Sequence, residues 1–311
     1  MILFAVVIPL RGFMTRPKAN PCMPTASEST ENNTSESQES YLTAIDWSTN
    51  PFNRVATADE YVLTNAESVS DITTQIQNNN GPVLLHSPTA GVGKTTLLEI
   101  LLESLSDEFT PLKINDQGTT VHGLVATLAD KLDVEVDKNT QQTNQNLHDE
   151  LENRDTPVLL GVHDLNLATE ETLYAVHDLT DLPNIRIILT ATVSSWETIG
   201  QVGSVGQTVQ RDVSCQLRLD PLSRDEGYEL YQRRVASATD YEHDDYQEVP
   251  FDPITETALD EVYDRSEGVP ALMISAFDEL IDRAADRYHR ANTTLIATGD
   301  AKKIDYSKSS D

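Results

Sequence analysis

The stretch from Gly81 to Leu105, GPVLLHSPTAGVGKTTLLEILLESL, constrains the fold of this chain more than any other part of it. It begins with a short apolar run, passes through a loop of small residues and continues with apolar residues at helical spacing. Such a loop directs several backbone N–H groups at one point, and the start of the following helix favours an anion there. The stretch therefore predicts a phosphate-binding loop between a buried strand and a helix.

The residue types in this loop suit the binding of phosphate groups. Gly91 and Gly93 allow the backbone to curve around a β-phosphate. Lys94 can reach the β and γ oxygens, and the Thr95 hydroxyl can ligate Mg²⁺. The loop departs from the G-x-x-x-x-G-K-[ST] pattern once, because Pro88 stands where the first glycine is expected. The predicted nucleotide-binding residues are Thr89, Ala90, Gly91, Val92, Gly93, Lys94, Thr95 and Thr96.

Apolar runs and amphipathic segments alternate after this loop at about 30-residue spacing, which is typical of βα units. The apolar runs predict strands at 82–86, 112–115, 158–162 and 186–192. From Leu217 onward the pattern becomes helical, with a capping box from Ser223 to Glu226. The predicted fold class is α/β: a P-loop NTPase parallel sheet with helices on both faces, followed by a small all-helical lid domain.

We expect four segments along the chain: a disordered tail at 1–45, the P-loop core at 46–220, the lid at 221–290 and a tail at 291–311. Residues 24–45 are rich in Ser, Thr, Glu and Asn. The run at 139–146, rich in Gln, Asn and Thr, is expected to be a surface connection. The first ten residues, MILFAVVIPL, are too short to span a bilayer. They indicate either a weak signal or anchor, or a translation start placed too early, with Met14 or Met23 as the true start, and we favour the second.

Acidic residues are in large excess throughout the chain: 51 Asp and Glu oppose 22 Lys and Arg, for a formal net charge of −29. This distribution is typical of a halophilic cytoplasmic protein, whose carboxylates keep it soluble in molar salt. Phosphate repels such a surface, so we expect DNA to be contacted only weakly or indirectly. Cys22 and Cys215 belong to no metal-binding pattern, and no disulfide or membrane association is expected.

Three phrases outside the loop carry a resemblance to a known family. They are Asn50-Pro51-Phe52, LDPLSRDEGYELYQRRV (219–235) and GVPALMISAFDELIDRA (268–285). Together with the loop, they make the chain resemble the AAA-type P-loop ATPases of the ExeA and TniB/MuB group, which serve secretion or DNA transposition. Origin-recognition initiators and STAND-type signalling ATPases are similar at lower stringency. The resemblance implies ATP and Mg²⁺ as ligands and ATP hydrolysis as the activity.

The resemblance also implies an Asp-Glu pair after the strand at 158–162, and this sequence departs from it. His163 stands at the Asp position and Asp164 at the Glu position. If the strand is one residue longer, Asp164 is the metal residue and Leu165 replaces the Glu. Asp164 is therefore predicted to be metal-linked, with Thr95, or to be the catalytic base. One acidic group is missing in either case, so hydrolysis is expected to be slow or to need a partner.

Further positions follow from the same resemblance. Pro270 is expected to close over the nucleotide, whereas Ala271 replaces an arginine that would sense the γ-phosphate. Arg211 stands where a trans-acting arginine finger lies in AAA rings, a role that requires a homo-oligomer; a solvated surface arginine is the alternative. Thr190 or Thr192, at a strand end, could orient the attacking water or could have no catalytic function.

These features favour an ATP-binding regulator or assembly factor with an unidentified protein partner, in a transposition- or replication-type process. The alternative is a STAND-like switch that binds ATP or ADP and hydrolyses little or none of it. ATP turnover that depends on Lys94 would discriminate between the two hypotheses. A small-molecule kinase is disfavoured because no acceptor-base motif is visible.

Overall fold

The central element of the structure, a computed structural model, is one parallel β-sheet. The described residues are 37–54, 60–61, 66–78, 81–115, 121–137, 139–163 and 169–306. Within these ranges five strands pair in the order β2-β3-β4-β1-β5. They are β1 (Val83–Ser87), β2 (Thr110–Asn115), β3 (Val158–His163), β4 (Ile185–Thr192) and β5 (Cys215–Arg218). The interior strands are mainly apolar and buried because both faces of a parallel sheet are covered.

Helices cover both faces of this sheet. The structure contains α1 (37–44), α2 (Ala66–Asn78), α3 (Lys94–Ser104), α4 (Val121–Lys131), α5 (Thr140–Glu152), α6 (Glu170–Thr180), α7 (Val193–Ile199) and α8 (Gly203–Asp212). On one face, α2 and α3 bury Ile72 and Leu97 against the sheet. On the other face, α4 to α8 bury a second set that includes Leu124, Leu173 and Trp196. The predicted α/β fold with helices on both faces is confirmed.

A helical unit follows β5, as expected for the lid. It comprises α9 (Arg224–Ala236), a 3₁₀ helix (His243–Glu248), α10 (Glu256–Ser266), α11 (Pro270–Ala291) and α12 (Thr298–Ala301). The capping box predicted at the start of α9 is present, with the Ser223 and Glu226 side chains bonded to each other's backbone N–H groups. The lid has its own apolar core, in which Tyr231 and Phe277 are fully buried.

Both predicted tails differ from expectation where the structure describes them. Residues 37–44 form helix α1, and Tyr41, Trp47 and Phe52 are buried in the lid core. Ile296 and Ile304 are buried in the same core, after the end of α11. The prediction of disorder is therefore wrong for 37–45, and 291–306 belong to the lid core. A few apolar anchors in a polar sequence suffice for this packing.

The run at 139–146 also differs from expectation, because it begins helix α5 instead of forming a surface connection. The Asn139 side chain accepts a hydrogen bond from the Gln141 N–H at 3.0 Å and caps the helix. Leu147 and Leu151 are buried on the other side of α5. Within the described part of the chain, no helix is both long and apolar enough to cross a membrane. The apolar residues 1–10 and the cysteine at position 22 lie outside the described residues.

Candidate nucleotide-binding site

The predicted phosphate-binding loop joins the carboxyl end of β1 to the first turn of α3. Gly91 and Gly93 have φ angles of +79° and +100°, in the left-handed region that glycine adopts without strain. Gly93 is the N-cap residue of α3, and the first turn of this helix contains no acidic residue. The N–H groups of the first turn and the dipole of the helix thus favour an anionic phosphate at this end of α3.

Lys94 is buried at the centre of this loop, with 8% of its surface exposed. Its Nζ donates to Ser87 Oγ at 2.6 Å and lies 3.5 Å from the Thr89 carbonyl oxygen. The ammonium group therefore lies inside the loop, within reach of a phosphate that the loop would surround. Ser87 is a contact that sequence analysis missed, because the motif begins only after it.

The lid closes directly onto the loop. The Ala271 backbone N–H, in the first turn of α11, donates to the Gly91 carbonyl oxygen at 3.0 Å. A Cβ atom at Gly91 would lie only 2.9 Å from the Ala271 Cβ. Pro270 precedes this contact as the first residue of α11, which its fixed φ favours. Pro270 therefore lies next to the loop, and its closure over a nucleotide stays a prediction.

An apolar pocket lies between the loop and the lid. Tyr61 forms one wall, with its hydroxyl 3.4 Å from the Gly93 carbonyl oxygen. Burial raises the pKa of the Tyr61 hydroxyl well above its ordinary value, so it stays a neutral donor. The pocket is lined by Glu60, Tyr61, Val92, Gly93, Thr96, Leu222, Leu230, Arg234, Pro270 and Ile274. Its largely apolar lining and its position beside the phosphate-binding loop suit the base of a nucleotide.

An ionic cluster buried beside this pocket connects the N-terminal segment to the lid. Glu60 is fully buried, and Arg54 donates to both of its carboxylate oxygens. Arg234 of α9 is 3% exposed, lies 3.4 Å from Glu60 and donates to the carbonyl oxygens of Pro51 and Arg54, each at 3.1 Å. Burial lowers the pKa of Arg234, and the Glu60 charge opposes this effect. Sequence analysis quoted Arg234 within a phrase but gave it no role.

The Thr95 hydroxyl, predicted to be a metal ligand, contacts a histidine. Thr95 Oγ1 and His163 Nε2 lie 2.5 Å apart. His163 is the last residue of β3, so it reaches α3 from the carboxyl edge of the sheet. The structure thus places an imidazole beside Thr95. Asp164, predicted as the metal-linked residue or base, lies outside the described residues.

The two candidate threonines of β4 differ in position. Thr190 pairs with Leu85 and is fully buried, two residues before the carboxyl edge of the sheet. Thr192 pairs with Ser87 at that edge, where its hydroxyl oxygen accepts from the Ser195 N–H at 3.2 Å and caps α7. Thr192 therefore lies at the strand end, as expected, and Thr190 does not, because β4 continues for two residues after Thr190. A catalytic role for either residue stays a prediction.

Arg211 lies away from the loop of its own chain. It precedes β5 near the amino edge of the sheet, where the Ser214 N–H donates to the Pro82 carbonyl oxygen at 2.8 Å. Its side chain is 75% exposed and lies 3.4 Å from an oxygen of Asp212. Arg211 is thus not brought together with Lys94 and Thr95, and only a neighbouring copy could use it at a second site.

Fold and site together define the class of protein: a P-loop NTPase fold, in which a parallel sheet carrying the loop is followed by a helical lid. A family model described as an AAA domain matches residues 77–198, from the end of α2 to α7. No curated protein matches the chain.

Solved structures with the same fold include the ORC1 and ORC2 proteins from Aeropyrum pernix. The ORC2 protein in its ADP form is 14% identical at a TM-score of 0.62, covering 83% of this chain and 72% of that chain. The structure of its ADPNP-ADP complexes is 14% identical at a TM-score of 0.60, covering 82% of this chain and 70% of that chain. The ORC1 protein in complex with DNA is 12% identical at a TM-score of 0.57, covering 78% and 64%. At such identities the likeness shows the fold alone.

Proposed function

We propose that this chain binds ATP or ADP between the phosphate-binding loop and the lid and acts as a nucleotide-dependent regulator or assembly factor. The observation that carries this proposal is the hydrogen bond from the Ala271 N–H to the Gly91 carbonyl oxygen. It joins the lid to the backbone that would surround the phosphates, so a change in the nucleotide can move the lid. The ADP and ADPNP complexes of the ORC2 protein support the same ligand class.

The residues of the loop have defined roles in this proposal. The backbone N–H groups at the start of α3 bind the phosphates, and Lys94 leaves Ser87 to neutralise their charge. Tyr61 and Pro270 line the pocket that would hold the base. If ATP is hydrolysed, Asp164 is the candidate base, and Arg211 of a second copy is the candidate finger.

A second candidate function is a nucleotide-dependent interaction switch with little or no hydrolysis. The contact between Thr95 and His163 favours it, since an imidazole occupies the place where the family resemblance implies a carboxylate. Such a protein would bind its partner in one nucleotide state and release it in the other.

We propose a partner of the transposition or replication type, in line with the resemblance to the ExeA and TniB/MuB group. The ORC1 structure with DNA keeps DNA as a candidate ligand, although the net charge of −29 favours indirect contact. The acidic composition also supports a cytoplasmic protein of a halophile.

The first experiment compares wild type with Lys94→Ala at about 2 M KCl, a salt level suited to an acidic surface. Binding of a fluorescent ATP analogue and steady-state turnover are both measured. Removal of Lys94 should weaken binding by about 10- to 100-fold, since a hydrogen bond to a charged group contributes ~1.5–3 kcal/mol. Lys113→Ala is the matched control, because Lys113 pairs with the half-exposed Glu99.

The outcomes separate the two functions. Turnover that disappears in Lys94→Ala supports the ATPase, whereas Lys94-dependent binding without turnover supports the switch. Equal binding by wild type and Lys94→Ala would overturn the nucleotide site itself.

A further inference from the structure

The contact between His163 and Thr95 bears on the metal as well as on hydrolysis. A phosphate-binding loop ordinarily uses the hydroxyl of this threonine as a ligand of Mg²⁺. Mg²⁺ keeps several waters and is held by one or two carboxylates together with the substrate phosphates. The question is whether the donor atoms of this site fit that ion.

His163 offers less to Mg²⁺ than a carboxylate in the same place. A carboxylate has two oxygens that accept hydrogen bonds from the threonine and from metal-bound waters together, and it carries a negative charge. An imidazole has at most one acceptor nitrogen and carries no negative charge in either protonation state. The nitrogen nearest Thr95, Nε2, is already engaged at 2.5 Å.

The described residues form no cluster of metal ligands beside Thr95. Among them, no group of three or more His, Cys, Asp or Glu residues could hold a metal ion. The first turn of α3 contains no acidic residue, and Lys94 brings a positive charge beside Thr95. The described donor set therefore fits a phosphate but does not fit Mg²⁺.

We infer that this chain binds its nucleotide without a requirement for Mg²⁺, because His163 holds the Thr95 hydroxyl in place of a metal-linked carboxylate. This inference rests on the proposed nucleotide site. Its consequence is that Lys94 and the backbone N–H groups supply most of the charge neutralisation. Nucleotide exchange would then not be controlled by magnesium.

The test measures binding of mant-ADP by fluorescence anisotropy at about 2 M KCl, a condition suited to the acidic surface, with excess MgCl₂ or with excess EDTA. In wild type the two dissociation constants should differ by far less than the ~10- to 100-fold that the outer-shell partners of a metal contribute. In His163→Asp, Mg²⁺ should tighten binding by about 10- to 100-fold. His148→Asp, the same substitution at a half-exposed position on α5, should leave the wild-type behaviour unchanged.

Other results would overturn the inference. Wild type that binds mant-ADP at least ~10-fold more tightly with Mg²⁺ contradicts it. If Asp164→Asn then removes that preference, Asp164 supplies the missing carboxylate. The wild-type comparison does not depend on the folding of any variant. Failure of the proposed function looks different: mant-ADP would then bind neither with nor without Mg²⁺, or would bind Lys94→Ala equally well.

Discussion

The P-loop core and the helical lid are assembled from contacts of different range along the chain. In the core, each strand leads into a helix that packs on the same sheet, as β1 does with α3 through Leu85 and Leu97. In the lid, distant segments meet: the Tyr41 hydroxyl donates to the Thr294 carbonyl oxygen at 2.8 Å, across 253 positions. Asn50 Nδ2 donates to Asp278 Oδ1 at 2.7 Å, across 228 positions.

This difference shows how little sequence signal a packed segment needs. A core strand can be recognised in the sequence as a run of apolar residues, because both of its faces are buried. Residues 37–54 supply only a few anchors, and their burial depends on partners in α9 and α11. Substitutions in residues 37–54 should therefore destabilise the lid more than the core. The four predictions below test how far the lid depends on such distant contacts.

The largest effect is expected from Phe52→Ala. The Phe52 ring lies 5.0 Å from the Phe277 ring and 5.7 Å from the Tyr231 ring, between centroids, and joins the N-terminal segment to α11 and α9. Its removal should lower the free energy of unfolding by about 3–5 kcal/mol. Guanidinium unfolding, followed by circular dichroism, measures this. Tyr174→Ala, at a half-exposed position on α6, is the control and should change it by less than ~0.5 kcal/mol.

Arg234→Met should destabilise the lid by about 3 kcal/mol, because it leaves the buried Glu60 with a partner missing. Its neighbour Arg233 offers a matched comparison. Arg233 pairs with Glu229 one turn away on α9, and such pairs contribute about 0.3–0.5 kcal/mol. Thermal unfolding of Arg234→Met and Arg233→Met distinguishes the two. Equal losses would show that the cluster does not connect the N-terminal segment to the lid.

Gly91→Ala tests the contact between core and lid. The alanine would have to adopt a φ of +79° and would crowd the Ala271 Cβ, so we expect a loss of about 1–3 kcal/mol and weaker mant-ADP binding. Gly299→Ala is the control, since a Cβ there meets nothing within 4 Å. In that helix the change should be neutral or stabilise by about 0.5–1 kcal/mol. Unchanged stability and binding in Gly91→Ala would argue against a closed lid.

The smallest effect concerns pH and helix α11. Partial burial, together with the charges of Asp278, Asp286 and Glu279, raises the pKa of Asp282 from 3.8 to about 6. The folded state then binds more protons than the unfolded state between these values, so this carboxyl contributes stability below pH 3.8 that is lost as the pH rises through about 6.

Asp282→Asn should consequently stabilise the protein at neutral pH, by less than ~1 kcal/mol because much of this partly buried side chain still faces solvent. The gain should disappear when unfolding is measured in acid. Gln38 of α1 donates to Asp282 Oδ1 at 2.8 Å and can donate to an asparagine oxygen as well. Asp107→Asn, at an exposed position after α3, is the matched substitution in the core. A gain that persists in acid would rule out titration of Asp282 as its cause.

Much of the core was predictable because its signals are local. The strand before the loop, the helix after it and the capping box at Ser223 all depend on neighbours in the sequence. The ambiguity at β3 could not be resolved in this way, since a strand end is uncertain by a residue or more. The three-dimensional structure places His163 at the end of the described part of β3 and brings its imidazole to Thr95 across 68 positions.

The sequence by itself determined the phosphate-binding loop, the parallel sheet and the existence of a helical lid, because glycine placement and apolar periodicity act over a few residues. Tertiary structure decided which groups surround the loop: Tyr61 and Glu60 from before it, Arg234 from α9 and Ala271 from α11. It also decided that residues 37–54 and 294–306 share the core of the lid. Such contacts depend on the shape and burial of distant partners, which no local pattern records.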